Sequence, residues 1–268
     1  MDDEAAMNKK TDSSSEHRME NYKTPDKLNT RISIHDKYSE NRQGFSAWLF
    51  QNMQLKENMR ILEVGCGTGQ LWSSNYDLIP AGCRITLTDS SAGMIDSVKQ
   101  TFGTKNFFEY AVVDAQALPF DEASFDVVIA NMVMYHVPNR NRAFSEFARV
   151  LKSDGTVYCA TYGENGMVAD LIQMLEGFEL RDVRNLTFTL QNGAAQMEPF
   201  FSCVERLDYE DALLITDIDD ILDYLYSLPS ASSLSPKARP AMKIALEKHM
   251  LSGILRISKE YGMLVAYM

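Results

Sequence analysis

Between residues 60 and 161, short apolar runs alternate with longer stretches in which apolar positions recur every three or four residues. That alternation of periods predicts strands alternating with amphipathic helices. In Arg60 to Val64 the apolar residues Ile61, Leu62 and Val64 are nearly continuous, as in a parallel strand covered on both faces. Arg84 to Thr88 reads as a second strand, and Asp89 and Ser90 follow where a helix needs a cap. Met94, Ile95, Val98 and Phe102 then share one helical face. Phe107 to Val113 ends in Asp114, and Phe125 to Ala130 runs into Asn131. A helix over Arg142 to Leu151 buries Ala143, Phe144, Phe147, Ala148 and Leu151. Asp154 and Gly155 turn the chain into a strand from Thr156 to Thr161. Five strand-then-helix steps predict a doubly wound α/β sheet whose ligands bind at the carboxyl ends of the strands. Asp89, Asp114 and Asn131 all lie on that edge.

The flanking regions carry other patterns. Phe45, Trp48, Leu49 and Met53 keep helical spacing, with Tyr38, Asn41 and Arg42 in a turn-like stretch before them. After the fifth strand, helices are expected over Met167 to Leu175 and over Phe188 to Phe201, the latter capped near Asn192. Cys203 to Tyr209 alternates as an edge or antiparallel strand does. A helix following Thr216 carries Ile218, Ile221, Leu222 and Leu225 and ends at Pro229. Another starts at Ser235 and Pro236, carries Met242, Leu246, Met250 and Leu251, and ends at Gly253. Gly262 to Met268 reads as a last strand.

The ten residues from Ile61 to Gln70, ILEVGCGTGQ, hold the most specific chemistry. Gly65, Gly67 and Gly69 follow a buried strand on alternate positions, so the backbone can take positive φ and admit a ligand close to the main chain. A dinucleotide fingerprint needs a third small residue at position 70 for close helix–strand packing. Gln70 stands there, which counts against nicotinamide hydride transfer.

Four motifs in order resemble the class I S-adenosylmethionine-dependent methyltransferases, small-molecule branch (ubiquinone/menaquinone methyltransferase-like). They are LEVGCGTG, TDSSAGMI, VVDAQALPF, and FDVVIANMVMYHVPN with RAFSEFARVLKSDG. The resemblance covers residues 59 to 162. It implies a Rossmann-like seven-stranded sheet, mostly parallel with an antiparallel last strand, plus a helical lid or insertion. It implies that Glu63, Gly65, Gly67 and Gly69 face the methionine moiety, that Asp89 receives the ribose hydroxyls, that Met94 packs near the adenine, and that Ser90 is among the cofactor-binding residues. Asp114 and Ala115 address the base edge, and Asn131 lies beside the cofactor. An N-terminal segment often closes over the cofactor in such enzymes, which gives Tyr38 and Arg42 a role, Arg42 toward the carboxylate. Where the family often has a histidine directly after the asparagine, this chain has Met132.

The resemblance further implies S-adenosyl-L-methionine as donor, S-adenosyl-L-homocysteine as product and no metal. Methyl transfer to an O, N or C acceptor on a small molecule is an in-line displacement, so alignment does most of the work. An O or N acceptor needs a proton removed, for which His136 and Tyr135 are the candidates, with His35 and Tyr38 behind them. His136 is also readable as a group that simply hydrogen-bonds the backbone. Cys66 reads as a small filler and Trp72 as packing for the first helix. The expected organisation is a charged, Ser-rich tail over 1–24, disordered or loosely attached, an N-terminal helical cap over 25–58, a cofactor-binding core over 59–162, and a helical lid with the last two strands over 163–268. About fifty residues between those strands are too many for a hairpin loop. Their apolar faces either cover substrate or pack on the sheet.

Composition narrows the partners. The chain has 268 residues, 45% of them hydrophobic, enough for a substantial core. A net charge of −11 argues against a nucleic-acid substrate, since phosphate neutralisation supplies most affinity for such polymers, although an RNA methyltransferase stays as an alternative. A non-catalytic S-adenosylmethionine-binding regulatory protein is a second alternative and an aminopropyltransferase a third. Four cysteines without CxxC spacing read as reduced thiols in a cytoplasmic protein. No signal-peptide core or membrane-length apolar run is seen, so no membrane insertion is expected. The oligomeric state is left open.

Overall fold

The computed structural model describes residues 33–103, 105–182, 184–228 and 234–268. The tail over 1–24, the first part of the expected N-terminal cap and the helix end at Pro229 lie outside the described residues. By internal contacts the chain divides into two units. One holds 41–166, 184–211 and 259–268, and the other holds the described residues of 1–40, 167–183 and 212–258.

Seven strands form one sheet in the order β3-β2-β1-β4-β5-β7-β6. They are β1 Arg60–Val64, β2 Arg84–Asp89, β3 Phe108–Val112, β4 Phe125–Ile129, β5 Leu151–Tyr162, β6 Cys203–Ile215 and β7 Leu255–Tyr267. The first five pair in parallel, whereas β7 runs antiparallel to β5. This is the expected doubly wound sheet. The helices that accompany these first five strands in the sheet unit are α1 Phe45–Asn52, α2 Gln70–Ser74, α3 Ala92–Phe102 and α4 Arg140–Val150, and a short helix, Gly193–Met197, belongs to the same unit. Between β3 and β4 residues 113–124 contain no helix, so the third of the five expected strand–helix steps is an irregular connection.

Side-chain alternation along each strand decides what each face receives. Leu62, Val64, Val128, Ala130, Val157 and Cys159 point to one face, where they meet Ala143, Phe144 and Phe147 of α4. Ile61, Ile85, Leu87, Val127 and Ile129 point to the other, against Leu49, Phe50 and Met53 of α1, Trp72 of α2, and Ile95, Val98 and Phe102 of α3. Glu63 shares the parity of Ile61. It is therefore carried into an apolar layer, which the strand's hydrophobicity alone does not reveal.

Several element bounds differ from expectation. α4 ends at Val150, and Leu151 already pairs with Phe125 in the sheet. Asp154 and Gly155 are thus inside β5, not a turn ahead of it, with a register shift in the β4 pairing between Phe125 and Val127. The helix expected over Phe188 to Phe201 is only the five-residue α6 Gly193–Met197; Phe188 and Phe201 are buried in the core without belonging to it. β6 runs past Tyr209 to Ile215, and β7 starts at Leu255, seven residues before Gly262. Both strands are long, so the insertion between them is shorter than expected.

The helical unit has its own core. α5 Met167–Met174, α7 Ile218–Ser227 and α8 Arg239–Glu247 bury Leu171, Ile221, Leu222, Leu225, Met242 and Leu246 together with Ile34 and Tyr38. Tyr38 closes a helical stretch over 33–38 where a turn was expected. α8 ends at Glu247, so Met250 and Leu251 lie beyond it. Ser235 caps the preceding turn as anticipated, accepting from the Lys237 N–H at 3.3 Å. Among the described residues no helix is long and apolar enough to cross a membrane.

Candidate functional site

β1 delivers the chain into a loop whose three glycines all take positive φ, 73° at Gly65, 53° at Gly67 and 77° at Gly69. The three differ in what they leave room for. A Cβ on Gly65 would meet the Val133 side chain at 2.5 Å, and one on Gly69 would meet Phe102 at 2.6 Å and Val98 at 2.7 Å. Those two glycines are needed for internal packing. A Cβ on Gly67 would meet nothing within 4 Å, so its bare backbone borders open space.

The loop is stitched to β2. Cys66 N–H donates to the Thr88 carbonyl at 2.9 Å, and the Thr88 hydroxyl donates to the Glu63 carbonyl at 2.8 Å. The Asp89 carboxylate accepts from the Gly67 N–H at 3.1 Å and from the Ser91 N–H at 2.8 Å. One bond falls on each oxygen, and each carboxylate oxygen has a further lone pair to offer. The cap of α3 is Ser91, whose side chain accepts from the Met94 N–H, rather than Asp89 or Ser90. Asp89 instead makes the short turn that places that cap.

Glu63 is 3% exposed, and its carboxylate accepts the Trp72 indole N–H at 2.6 Å. Burial pushes its pKa up to about 7, opposed by the Trp72 hydrogen bond and reinforced by the neighbouring Asp89 charge. Trp72 is fully buried and packs α2 as expected, and its indole N–H also anchors the Glu63 carboxylate. Burial together with the charges of Glu63 and Asp89 raises the Cys66 thiol well above its ordinary value, which suits a filler and not a nucleophile.

At the end of β3, Asp114 is exposed, and both its oxygens accept from Gln116, with the backbone N–H at 2.9 Å and the side-chain amide at 3.0 Å. Gln116 in turn receives the Asn139 N–H at 3.0 Å. Ala115 is buried beside it. Met94 is half-buried on α3, while Ile95 and Val98 face inward.

Asn131 stands just beyond β4. Its side-chain nitrogen and oxygen are both out of water and have no hydrogen-bond partner. A buried amide without partners costs about 1–3 kcal/mol, so Asn131 calls for a partner that the described residues do not supply. Met132 follows with φ 54°, a left-handed conformation uncommon for a non-glycine residue. Its N–H reaches the Ala160 carbonyl at 2.8 Å, tying the ends of β4 and β5 together. Tyr135 and His136 sit on the short turn that follows, Met134–His136, and their rings are 4.5 Å apart.

Glu63, the three glycines, Asp89, Met94, Asp114, Ala115, Asn131, Tyr135 and His136 thus all belong to the sheet unit. Arg42 is in that unit as well, on the turn before α1. Tyr38 and His35 belong to the helical unit, where the Tyr38 hydroxyl donates to Asp220 at 2.5 Å and the His35 ring packs edge-on to Tyr224. Sequence reading did not find Trp72 as the partner of Glu63, nor Gln116 as the brace of Asp114. Helical spacing from the loop was available for Trp72, whereas nothing local marks Gln116.

The methyltransferase-domain family profile matches residues 62–159. The ubiquinone/menaquinone biosynthesis C-methyltransferase UbiE of Campylobacter jejuni is 32% identical over 108 residues, covering 39% of this chain and 45% of that protein. The malonyl-[acyl-carrier protein] O-methyltransferase of Geobacter sulfurreducens is 35% identical over 108 residues, 40% of each. The matched stretch therefore spans less than half the length of these curated relatives. A solved structure described as a methyltransferase from Bacillus halodurans superposes with a TM-score of 0.56 at 15% identity, covering 83% of this chain and 98% of that one. At that identity it speaks for the fold alone. Taken with the glycine loop and the strand-end carboxylates, these likenesses identify residues 62–159 as a methyltransferase domain.

Proposed function

We propose that this protein transfers a methyl group from S-adenosylmethionine to an O, N or C atom of a small molecule and releases S-adenosylhomocysteine. The observation that carries the reading is Asn131, whose buried amide lacks any partner beside a loop with open space over Gly67. A zwitterionic, hydrogen-bonding ligand suits both. The backbone around Gly67 and the Asn131 amide would hold the methionine end, the remaining lone pairs of Asp89 the ribose hydroxyls, and Asp114 with Ala115 the base edge, with Met94 against the ring. Arg42 toward the carboxylate, and Ser90 as a further contact, belong to the same proposal.

The donor supplies an electrophilic methyl, and the chain's residues bind, align and exclude water. Tyr135 and His136, on the turn that follows β4, would receive a proton from an O or N acceptor. Donor binding falls to 59–162 and acceptor selection to 163–268, of which 163–166, 184–211 and 259–268 belong to the sheet unit. Relatives named for carbon and for oxygen methylation leave the acceptor atom to experiment. A cytoplasmic setting goes with buried, unpaired thiols at Cys66, Cys83 and Cys159. Calorimetry with S-adenosylhomocysteine tests the reading: binding in the micromolar range is expected, and folded protein that binds none at millimolar ligand refutes it.

A further inference from the structure

The helical unit displays a surface that donor binding does not use, in residues outside the stretch that matches the family profile. Leu251, Ser252, Gly253 and Ile254 form a tight hairpin turn. The Leu251 N–H donates to the Ile254 carbonyl at 2.8 Å, and the Ile254 N–H donates back to the Leu251 carbonyl at 3.0 Å. Ser252 at φ 52° and Gly253 at φ 80° are both left-handed, the conformation that matches such a turn to the twist of its flanking strands. Leu251 and Ile254 are thereby directly opposed, which puts their side chains on one face of the ribbon. Both are bare, Leu251 at 80% exposure and Ile254 at 37%. Leu255, one residue on, is fully buried, so the turn is anchored while its aliphatic pair is held out in solvent.

α8, just before the turn, carries a matching stripe. Lys237, Ala241, Ile244 and Lys248 recur every three or four residues and are all exposed, while Met242 and Leu246 on the other face are fully buried. Ile244 and Lys248, four apart, are neighbours on the helix surface. From 234 to 258 the chain has five cations against one acid, Glu247, within a molecule of net charge −11. Three of the five are paired: Arg239 with Asp219 and Asp223, Lys243 with Asp219, and Arg256 with Glu40. Lys237 and Lys248 make no ion pair among the described residues. The stripe therefore has exposed aliphatic carbon between two lysines whose charge is not neutralised.

We propose that the Leu251–Ile254 turn and the exposed stripe of α8 dock the protein onto an anionic lipid bilayer, lying on it and not spanning it. Such binding sums apolar area buried at the acyl boundary and attraction of cations to the headgroups. Lysine suits both, since its stem lies along apolar surface while its ammonium reaches the phosphate layer. A protein partner fits less well, because interfaces between proteins are depleted in Lys and centre on Trp, Tyr and Arg, and residues 234–258 contain no Phe, Tyr or Trp. The acidic remainder of the chain is repelled by such a membrane. At about 0.1 M salt that repulsion is screened beyond about 10 Å, so the charges at the contact decide, and this face is the one they favour.

The test is sedimentation of the whole chain with vesicles of phosphatidylcholine alone and of phosphatidylcholine with about one third phosphatidylglycerol. Binding to the anionic vesicles is expected, at least about tenfold tighter than to the neutral ones, and weaker on going from about 0.1 M to about 0.5 M salt. Leu251→Ser should weaken it at least about tenfold and Lys248→Glu at least about fivefold. Both positions are exposed, so urea midpoints should stay at the wild-type value. Leu251→Trp should add fluorescence that lipids brominated in their acyl chains quench. No binding of wild type, equal affinity for the two vesicles, or affinity unchanged in Leu251→Ser or Lys248→Glu overturns the proposal. Self-association without lipid that Leu251→Ser disperses also overturns it, since a second copy then covers the surface. The proposal stands apart from the donor reading, which calorimetry with S-adenosylhomocysteine tests by itself.

Discussion

Replacing Glu63 by Gln removes one ionisable proton from the interior while keeping an oxygen that can accept the Trp72 N–H. In the folded protein burial raises this carboxyl from 4.5 to about 7, whereas in the unfolded chain it titrates at its ordinary value. The folded state therefore binds the proton more tightly than the unfolded state. Its contribution to stability is fully present below about pH 4.5 and is lost as pH rises through about 7. A difference of that size corresponds to roughly 3 kcal/mol. At 3% exposure the group is not screened by solvent. Glu63→Gln should accordingly be more stable than wild type by up to about 3 kcal/mol at pH 8, with the advantage shrinking toward pH 5. Urea unfolding at half-unit steps from pH 5 to 8.5, monitored by tryptophan fluorescence, measures both curves. The self-repulsion of a chain of net charge −11 tilts both nearly equally, so their difference isolates Glu63. Parallel curves across this range would falsify the assignment of a buried, protonatable carboxylate.

Other consequences follow from the same geometry. Asn131→Leu removes an orphaned amide, so the ligand-free protein should gain about 1 kcal/mol in urea unfolding while its affinity for S-adenosylhomocysteine drops at least about tenfold; a loss of stability with affinity retained contradicts the site. Gly69→Ala places a Cβ against Phe102 and Val98 in a left-handed conformation, which should cost about 2–5 kcal/mol in the same assay. Lys259→Met removes the cation paired with the Asp211 carboxylate, whose side chain is 0% exposed and which keeps the Asn41 N–H. That should cost about 3–5 kcal/mol, and the double variant with Asp211→Asn should recover part of it; a double variant no better than the single one argues against a buried charge pair.

How much could be read before the fold was known divides along physical lines. The strands β1, β2 and β4 and the face of α3 were legible because apolar periodicity is a local signal. The glycine loop was legible because positive φ selects for glycine one residue at a time. The late strands were underestimated because β6 and β7 continue beyond their apolar stretches, held by pairing that no local window contains. Phe188 and Phe201 were taken for a helix because burial in a common core produces spaced apolar residues whether or not the backbone is helical.

The donor site divides in the same way. Residue types and order alone brought Glu63, Asp89, Asp114 and Asn131 to one edge of a parallel sheet, because every strand in such a sheet delivers its carboxyl end to the same side. Which of those groups have internal partners depended on packing between elements distant in sequence. The alternation of β1 sent Glu63 to Trp72, Gln116 closed over Asp114, and Asn131 was left without partners. Asn185 joined Tyr135 to Tyr162 across stretches of 50 and 23 residues. Hydrogen bonds of that span leave no period in a sequence, and only the folded chain brings their ends together.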